Sequence, residues 1–148
     1  MQVKAPSPVL EVGRVFKHVI PVRWGDLDAL NHVNNSIYFR YMEEARARLY
    51  EDTGFPVPGP RVPVLAHASC DFLRSVTYPC TVVVRLVLAR VGRSSMEYDV
   101  VIHDGEDAGV IYVRGKNIVV NTEASSGKSS AWTQAELESY ARHFKSPA

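Results

Sequence analysis

The sequence has few of the residues that hold metals and disulfides. It contains two cysteines in 148 residues, and Cys70 and Cys80 form neither a CxxC pair nor part of a metal quartet. A chain of this length can build its own core without a cross-link, so we expect both thiols to be reduced and buried. The five histidines never approach the spacing of metal ligands, and we expect no metal site.

Long apolar runs and an excess of one charge are also missing. No stretch has the length of a membrane span or of a signal-peptide core, so we expect a cytoplasmic protein that does not bind membranes. The formal net charge of +1 gives no indication of a nucleic-acid partner. The sequence also lacks a Gly-rich phosphate loop and a GxSxG elbow, which argues against P-loop nucleotide binding and an α/β-hydrolase nucleophile.

What the chain does contain is the length and composition of one globular domain, with 46% apolar and 22% charged residues. Residues 1–13 mix Pro, Ser and Gly and predict a flexible N-terminal segment. Residues 14–122 contain the strand and helix patterns of the domain. Residues 123–148 predict a polar linker and a short terminal helix, capped by Thr133 with Glu136 three residues later.

A long helix is predicted after residue 34. The apolar residues at helical spacing are Ile37, Tyr38, Tyr41, Met42, Ala45 and Leu49. The opposite side is predicted to be polar and contains Arg40, Glu43, Glu44, Arg46 and Arg48. The N-cap oxygen can come from Asn34, Asn35 or Ser36. Gly54 is expected to end the helix after about 18 residues.

Segments rich in Val, Ile and Tyr predict strands on both sides of this helix. The first covers residues 15–24, where Pro21 indicates an edge position or a bulge. Four more strands follow the helix, at residues 65–77, 81–91, 95–103 and 109–121. Tight hairpin turns are predicted at residues 92–94 and 103–107. One strand, one long helix and four hairpin-joined strands make an α+β fold, in which the sheet curls around the helix.

The residues that can carry chemistry are concentrated between the first strand and the helix. Asp26 and Asp28 stand two apart after the strand, and His32 lies four residues beyond Asp28. Acids and amides before a helix commonly cap its free N–H groups, which would account for one aspartate and the asparagines. That role does not account for Gly25, a second aspartate and a histidine in so short a loop. Composition and spacing alone leave a capping loop and a catalytic loop open.

The stretch VRWGDLDALNHVNNSIYFRYMEEAR, residues 22–46, resembles the signature of the hotdog-fold acyl-CoA thioesterases of the 4-hydroxybenzoyl-CoA thioesterase type. The matching features are the Asp-x-Asp at the strand end, the His-Val-Asn-Asn before the helix and the Tyr-x-x-Tyr-x-Glu-Glu-Ala-Arg run within it. Residues 66–102 are similar to the family's second and third strands, so the resemblance covers about residues 15–121. It implies a hotdog fold, with a curved five-stranded antiparallel sheet around one long central helix. It also implies a homodimer or homotetramer with active sites at the subunit interface.

The resemblance assigns the catalytic carboxylate to Asp28, the second acid of the Asp-x-Asp. An ionised carboxylate can attack the thioester carbonyl directly or activate a water molecule, and the sequence leaves both routes open. The backbone N–H of Asn35, seven residues later, is implied as the oxyanion donor at the positive end of the helix dipole. His32 is a candidate to orient water or substrate, with a structural hydrogen bond as the alternative.

The resemblance also implies a binding site for CoA. The turn between the third and fourth predicted strands is expected to bind its phosphates, and it contains Arg90, Arg93, Ser94 and Ser95. Arg114 and Lys116 follow on a later strand.

Three other acidic residues near this stretch have structural interpretations. Asp26 is expected to hold the loop by accepting backbone N–H bonds. Another branch of hotdog thioesterases places its catalytic glutamate on the helix, so Glu43 and Glu44 are also candidate catalytic residues. We expect solvated ion pairs for both instead, with Arg40–Glu44 and Glu44–Arg48 one helical turn apart.

The function implied is an acyl-CoA thioesterase that hydrolyses an acyl- or aryl-CoA thioester to a free acid and CoA, without a metal or redox cofactor. The first alternative is a hotdog enoyl-CoA hydratase or dehydratase, whose relatives use a Gly-Asp-x-Asn-Pro-x-His run. Here the Asn-Pro is missing and the His follows Asp28 by four residues instead of five. The second alternative is a hotdog protein that binds acyl-CoA without turning it over.

Overall fold

The structure is a computed structural model that describes residues 9–55 and 57–147, and within them the chain forms five strands and two α-helices. The strands are β1 (Val15–Pro21), β2 (Arg61–Phe72), β3 (Thr81–Val91), β4 (Ser95–Asp104) and β5 (Ile111–Glu123). The helices are α1 (Asn35–Thr53) and α2 (Gln134–His143). Over these ranges, neither helix combines the length and apolar content that crossing a membrane requires.

The strands form one antiparallel sheet in the order β1-β3-β4-β5-β2. The two edges are therefore β1 and β2, and Pro21 at the end of β1 lies on an edge, as predicted. The long helix α1 buries its apolar side in the same core as the sheet. This is the α+β arrangement predicted from the sequence.

Both ends of α1 lie where the sequence places them. Asn34 is the N-cap, and its Oδ1 accepts a 2.9 Å hydrogen bond from the Ser36 N–H. Gly54 follows the last helical residue with φ of 78°, the left-handed conformation that glycine adopts without steric cost. The helix has 19 residues, close to the predicted length.

One helical residue lies on the side opposite to the one predicted. Arg46 was expected on the polar side of α1, but it is only 7% exposed. Its Nη1 donates a 2.6 Å hydrogen bond to Oδ1 of Asn117, a buried residue of β5. The polar face of the helix is therefore narrower than the sequence suggests.

Several strand boundaries differ from the prediction: β1 ends at Pro21 instead of residue 24, and β5 covers Ile111–Glu123 instead of 109–121. The strand expected at 65–77 is β2, which begins at Arg61 and ends at Phe72. Leu73 and Arg74 both donate their N–H groups to the Tyr112 carbonyl, where the chain leaves the sheet. The turn predicted at 103–107 is a longer loop between Asp104 and Ile111, and the Asp104 carboxylate accepts the Glu106 and Asp107 N–H groups within it. The tight turn at 92–94 is confirmed.

The C-terminal segment completes the core of the domain. Trp132, Tyr140 and Phe144 pack into the cluster that contains α1 and the sheet. The predicted helix cap is confirmed, since Thr133 and Glu136 form a reciprocal capping box at the start of α2. The C-terminal segment therefore belongs to the same globular unit as the sheet.

The predicted flexible segment 1–13 lies outside the described residues as far as residue 8. Its remaining part contacts the domain, since Leu10 packs against the core and the Gly13 N–H donates to the Leu88 carbonyl at 2.8 Å.

Both cysteines are free, as expected, but they are half-buried instead of fully buried. Burial raises the pKa of both thiols, so Cys70 and Cys80 are poor nucleophiles.

Candidate active site

The loop between β1 and α1 folds back on itself as a small hairpin. The Asp28 N–H donates to the His32 carbonyl at 2.8 Å, and the Asn34 N–H donates to the Asp26 carbonyl at 3.0 Å. Asn31 at the tip has a φ of 60°, a conformation that asparagine tolerates better than most residues. The hairpin gives the loop a defined backbone geometry directly before the helix.

A short extended segment after β2 holds this hairpin in place. The Val33 N–H donates to the Val76 carbonyl at 2.9 Å, and His32 pairs with Thr77 in an antiparallel bridge. The same segment is fixed to α1, because the Val76 N–H donates to the Tyr38 hydroxyl at 3.2 Å. The loop is thus attached to both the sheet and the helix.

Asp28 lies half-buried near the tip of the hairpin. Its Oδ1 accepts hydrogen bonds from the Leu30 N–H at 2.8 Å and from the His32 N–H at 3.4 Å. Within residues 9–55 and 57–147, Oδ2 has no hydrogen-bond partner. One oxygen therefore fixes the carboxylate, and the other is free to meet a ligand or a water molecule.

The first turn of α1 presents one unused backbone donor. The Ser36 N–H is bound by the Asn34 side chain, and the Ile37 N–H donates to the Asn34 carbonyl at 2.8 Å. No acceptor among the described residues pairs with the Asn35 N–H. Because the N-terminal end of a helix carries partial positive charge, this N–H is suited to bind a developing negative charge.

The hairpin sets the separation between these two groups. Asn34 pairs with Asp26, so Asp28 is two residues, about 7 Å, further along the hairpin arm than the start of the helix. The backbone pairing therefore places Asp28 and the start of α1 at the same end of the fold.

His32 is half-buried beside Asp28, and its ring forms no hydrogen bond with another residue in the described part of the chain. The hydrogen bonds that hold His32 in the loop come from its backbone, whose N–H donates to Asp28 Oδ1 and whose carbonyl accepts from the Asp28 N–H. The imidazole is left free for a ligand.

Asp26 has the structural role expected of it. Its Oδ2 accepts the Arg23 N–H at 2.9 Å and the Tyr41 hydroxyl at 2.6 Å. Burial and the Asp26 carboxylate together raise the pKa of Tyr41, so the phenol stays protonated and keeps donating. Asp26 thereby ties the loop to the buried side of α1.

The helix glutamates form ion pairs, but the partners differ from those expected. Glu43 lies 3.4 Å from Arg40. Glu44 lies 3.1 Å from Arg23, a residue of the loop, instead of pairing with Arg40 or Arg48. The loop position of Arg23 depends on the tertiary fold, so helical spacing alone could not identify this pair.

The residues predicted to bind CoA lie at the other end of the sheet. The β3–β4 turn with Arg90, Arg93, Ser94 and Ser95 is separated from the Asp28 end by the full length of β3, about 33 Å. The carbonyls of Arg93 and Ser95 accept bonds from the Trp132 backbone and indole, each at 3.0 Å. One protomer therefore does not bring this turn together with Asp28.

Arg114 and Lys116 lie on β5, and they pair in register with Asp71 and Ser69 of β2. A surface cavity lies between these two pairs.

Comparison with known proteins identifies the family. The thioesterase superfamily matches residues 30–111, more than half of the chain. A proposed thioesterase from Pseudomonas aeruginosa, the PA2801 protein, is 36% identical, with 81% of this chain and 93% of that chain covered and a TM-score of 0.78. A proposed acyl-CoA thioesterase from Xanthomonas campestris is 32% identical, with 78% and 97% covered and a TM-score of 0.69. A proposed esterase from Aquifex aeolicus is 30% identical over 103 residues, 67% of this chain and 80% of its own length. The chain belongs to the thioesterase superfamily and is a thioester hydrolase with the hotdog fold.

Proposed function

We propose that this protein hydrolyses an acyl- or aryl-CoA thioester to a carboxylic acid and CoA at the site formed by Asp28 and the Asn35 N–H. The observation that carries the proposal is the state of these two groups. One carboxylate oxygen of Asp28 and one N–H at the start of α1 are unoccupied at the same end of the fold, within residues 9–55 and 57–147. A thioester carbonyl needs an oxygen nucleophile at its carbon and a hydrogen-bond donor at its oxygen.

In the proposed reaction, the thioester oxygen accepts the Asn35 N–H, and this hydrogen bond strengthens as negative charge develops on the oxygen. Oδ2 of Asp28 either attacks the carbonyl carbon, giving a mixed anhydride that water then hydrolyses, or takes a proton from the attacking water. In both routes the C–S bond breaks, and the CoA thiolate leaves and takes up a proton. His32 is proposed to orient the water or the substrate. No metal or redox cofactor takes part in this scheme, and CoA enters only as part of the substrate.

The proposed activity can be tested by measuring free thiol release across aryl-, short-chain and long-chain CoA thioesters, with enoyl-CoA hydration measured in parallel. We expect thiol release from at least one class and no hydration. Hydration without thiol release would support the hydratase alternative, and binding without turnover would support the acyl-CoA-binding alternative.

We further propose that the protein is a homodimer paired through β2, or a homotetramer built from two such dimers. This edge strand has 12 residues and remains exposed at Val64, Leu65 and Phe72, which are 47%, 41% and 45% exposed. The other edge is less available, because Val15 of β1 pairs with Lys145 near the C-terminus. Long exposed apolar edge strands tend to pair with another strand. A two-fold symmetric pair provides hydrogen-bond partners for the free backbone groups of both copies. In such a dimer, the β3–β4 turn of one protomer could bind the CoA of a substrate held at the Asp28 site of the other protomer.

Changing Ala66 to Lys is expected to separate the protomers. Ala66 is exposed at the bulge in the middle of β2, where a two-fold axis would place the two copies close together. Two facing ammonium groups oppose strand pairing, so we expect half the native mass by light scattering and a loss of thiol release of about tenfold or more. Val19→Lys, on the exposed face of the other edge strand, is the matched control and should keep the native mass. An unchanged mass for Ala66→Lys would contradict pairing through β2.

A further inference from the structure

A groove runs along α1 on the side facing β2. It consists of two adjoining cavities of about 250 and 560 Å³, and both are lined by Glu43, Arg46 and Leu65. The smaller cavity begins at Ser36, and the larger one extends to Phe55 beyond the end of the helix. We refer to this continuous depression as the α1–β2 groove.

The groove starts beside the proposed oxyanion donor. Ser36 is the residue after Asn35, so an acyl group whose carbonyl oxygen meets the Asn35 N–H can continue directly into the groove. The larger cavity has walls of Phe55, Val57 and Leu65, and its size is that of a typical ligand pocket. The groove therefore suits the acyl part of the substrate.

Arg46 forms part of the groove midway along its length. Although this side chain is only 7% exposed, it lines both cavities. Its guanidinium donates one hydrogen bond, from Nη1 to Asn117 Oδ1, and no carboxylate among the described residues forms an ion pair with it. Glu43, the nearest acid on the helix, pairs with Arg40.

A buried cation that forms no salt bridge is energetically unfavourable. Burial lowers the pKa of Arg46, and the nearby charge of Glu43 offsets this effect only in part. A neutral amide oxygen satisfies only one of the five N–H donors of a guanidinium. The remaining donors are suited to a planar, negatively charged group that enters through the groove.

We propose that Arg46 selects acyl groups that end in a carboxylate, so that the preferred substrates are CoA half-thioesters of dicarboxylic acids. This inference rests on the proposed reaction at Asp28 and Asn35. Arg46 lies eleven residues after Asn35, about 16 Å along the helix, and its side chain leans back toward the helix start. The carboxylate would therefore lie roughly 10–16 Å from the thioester, which an extended chain spans with about 8–13 bonds.

The first test uses the wild-type protein alone. The value of kcat/KM is measured for pairs of acyl-CoA substrates of equal length, with and without a terminal carboxylate, over chains of about 6 to 16 carbons. We expect the carboxylate to raise kcat/KM about 10- to 100-fold for chains of about 9 to 14 carbons, and to give no advantage in shorter ones.

The possible failures can be told apart. If plain acyl-CoAs are hydrolysed and the carboxylate brings no advantage at any length, the role of Arg46 is wrong while the thioesterase proposal stands. An equal advantage from a terminal hydroxyl would also overturn the carboxylate assignment. If no member of the series is hydrolysed, the proposed function fails and this inference fails with it.

The second test assigns the preference to Arg46. Arg46→Gln removes the charge and keeps an N–H donor for Asn117, so the ratio of kcat/KM between the paired substrates should fall to near one. Arg46→Lys restores the charge and should recover part of the preference. Arg48→Gln, on the exposed side of the same helix, is the matched control and should leave the ratio unchanged. A retained ratio in a folded Arg46→Gln protein contradicts the inference; if that variant does not fold, the wild-type series decides.

Discussion

An Asp28→Asn variant is expected to release thiol from its best acyl-CoA substrate about 10²- to 10⁴-fold more slowly than the wild type. The amide keeps the oxygen that accepts the Leu30 and His32 N–H groups, so the hairpin should retain its shape. It loses the negative charge that either attacks the carbonyl carbon or activates water. The measurement is kcat/KM for thiol release, with circular dichroism and thermal unfolding to establish that the fold is intact.

The matched control for Asp28→Asn removes a carboxylate that lies outside the candidate active site. Asp99 of β4 is exposed, and its neighbours on both sides are buried, so its side chain lies on the face of the sheet away from α1. Asp99→Asn should hydrolyse the substrate at the wild-type rate. A folded Asp28→Asn protein with wild-type activity would remove Asp28 from the mechanism.

Replacing Asn35 with proline is expected to reduce kcat about 10²- to 10³-fold, because it deletes the backbone N–H proposed to stabilise the oxyanion. Proline is well tolerated at the first position of a helix, where the N–H has no partner within the helix. The preceding residue, Asn34, already has φ of −60° and ψ of 137°, the extended conformation that precedes proline. The helix should therefore form normally.

Asn35→Ala is the control for this substitution, because it removes the exposed side chain and keeps the N–H. We expect it to retain wild-type kcat. The proline variant should lower kcat with little change in KM, since the lost hydrogen bond matters most in the transition state. Equal rates for the two variants would show that the donor lies elsewhere.

The sequence predicted best what local signals determine. The ends of α1 follow from Asn34 and Gly54, whose cap conformations depend on neighbouring residues alone. The end of β2 was misplaced because residues 73–77 read as a continuing strand. In the fold, Val76 and Thr77 pair with the loop before α1. Local sequence does not determine this pairing, because the partners are distant in sequence.

The candidate site was only partly accessible to sequence reasoning. The resemblance pointed to Asp28 and Asn35, and the hairpin explains how an Asp-x-Asp and a helix start become neighbours. The buried position of Arg46 could not be anticipated, because it depends on Asn117, 71 residues later in the chain. Helical periodicity alone assigned this arginine to the solvent.

The pairing of Val15 with Lys145 has a consequence for growth of the sheet. A protomer with two open edges could add neighbours on both sides and polymerise without limit. Here the β1 edge is covered at its start by Lys145, and at its end it contains Pro21, which has no N–H to donate to another strand. These features favour strand addition at the opposite border, so the proposed pairing through β2 would end growth of the sheet once two copies have met.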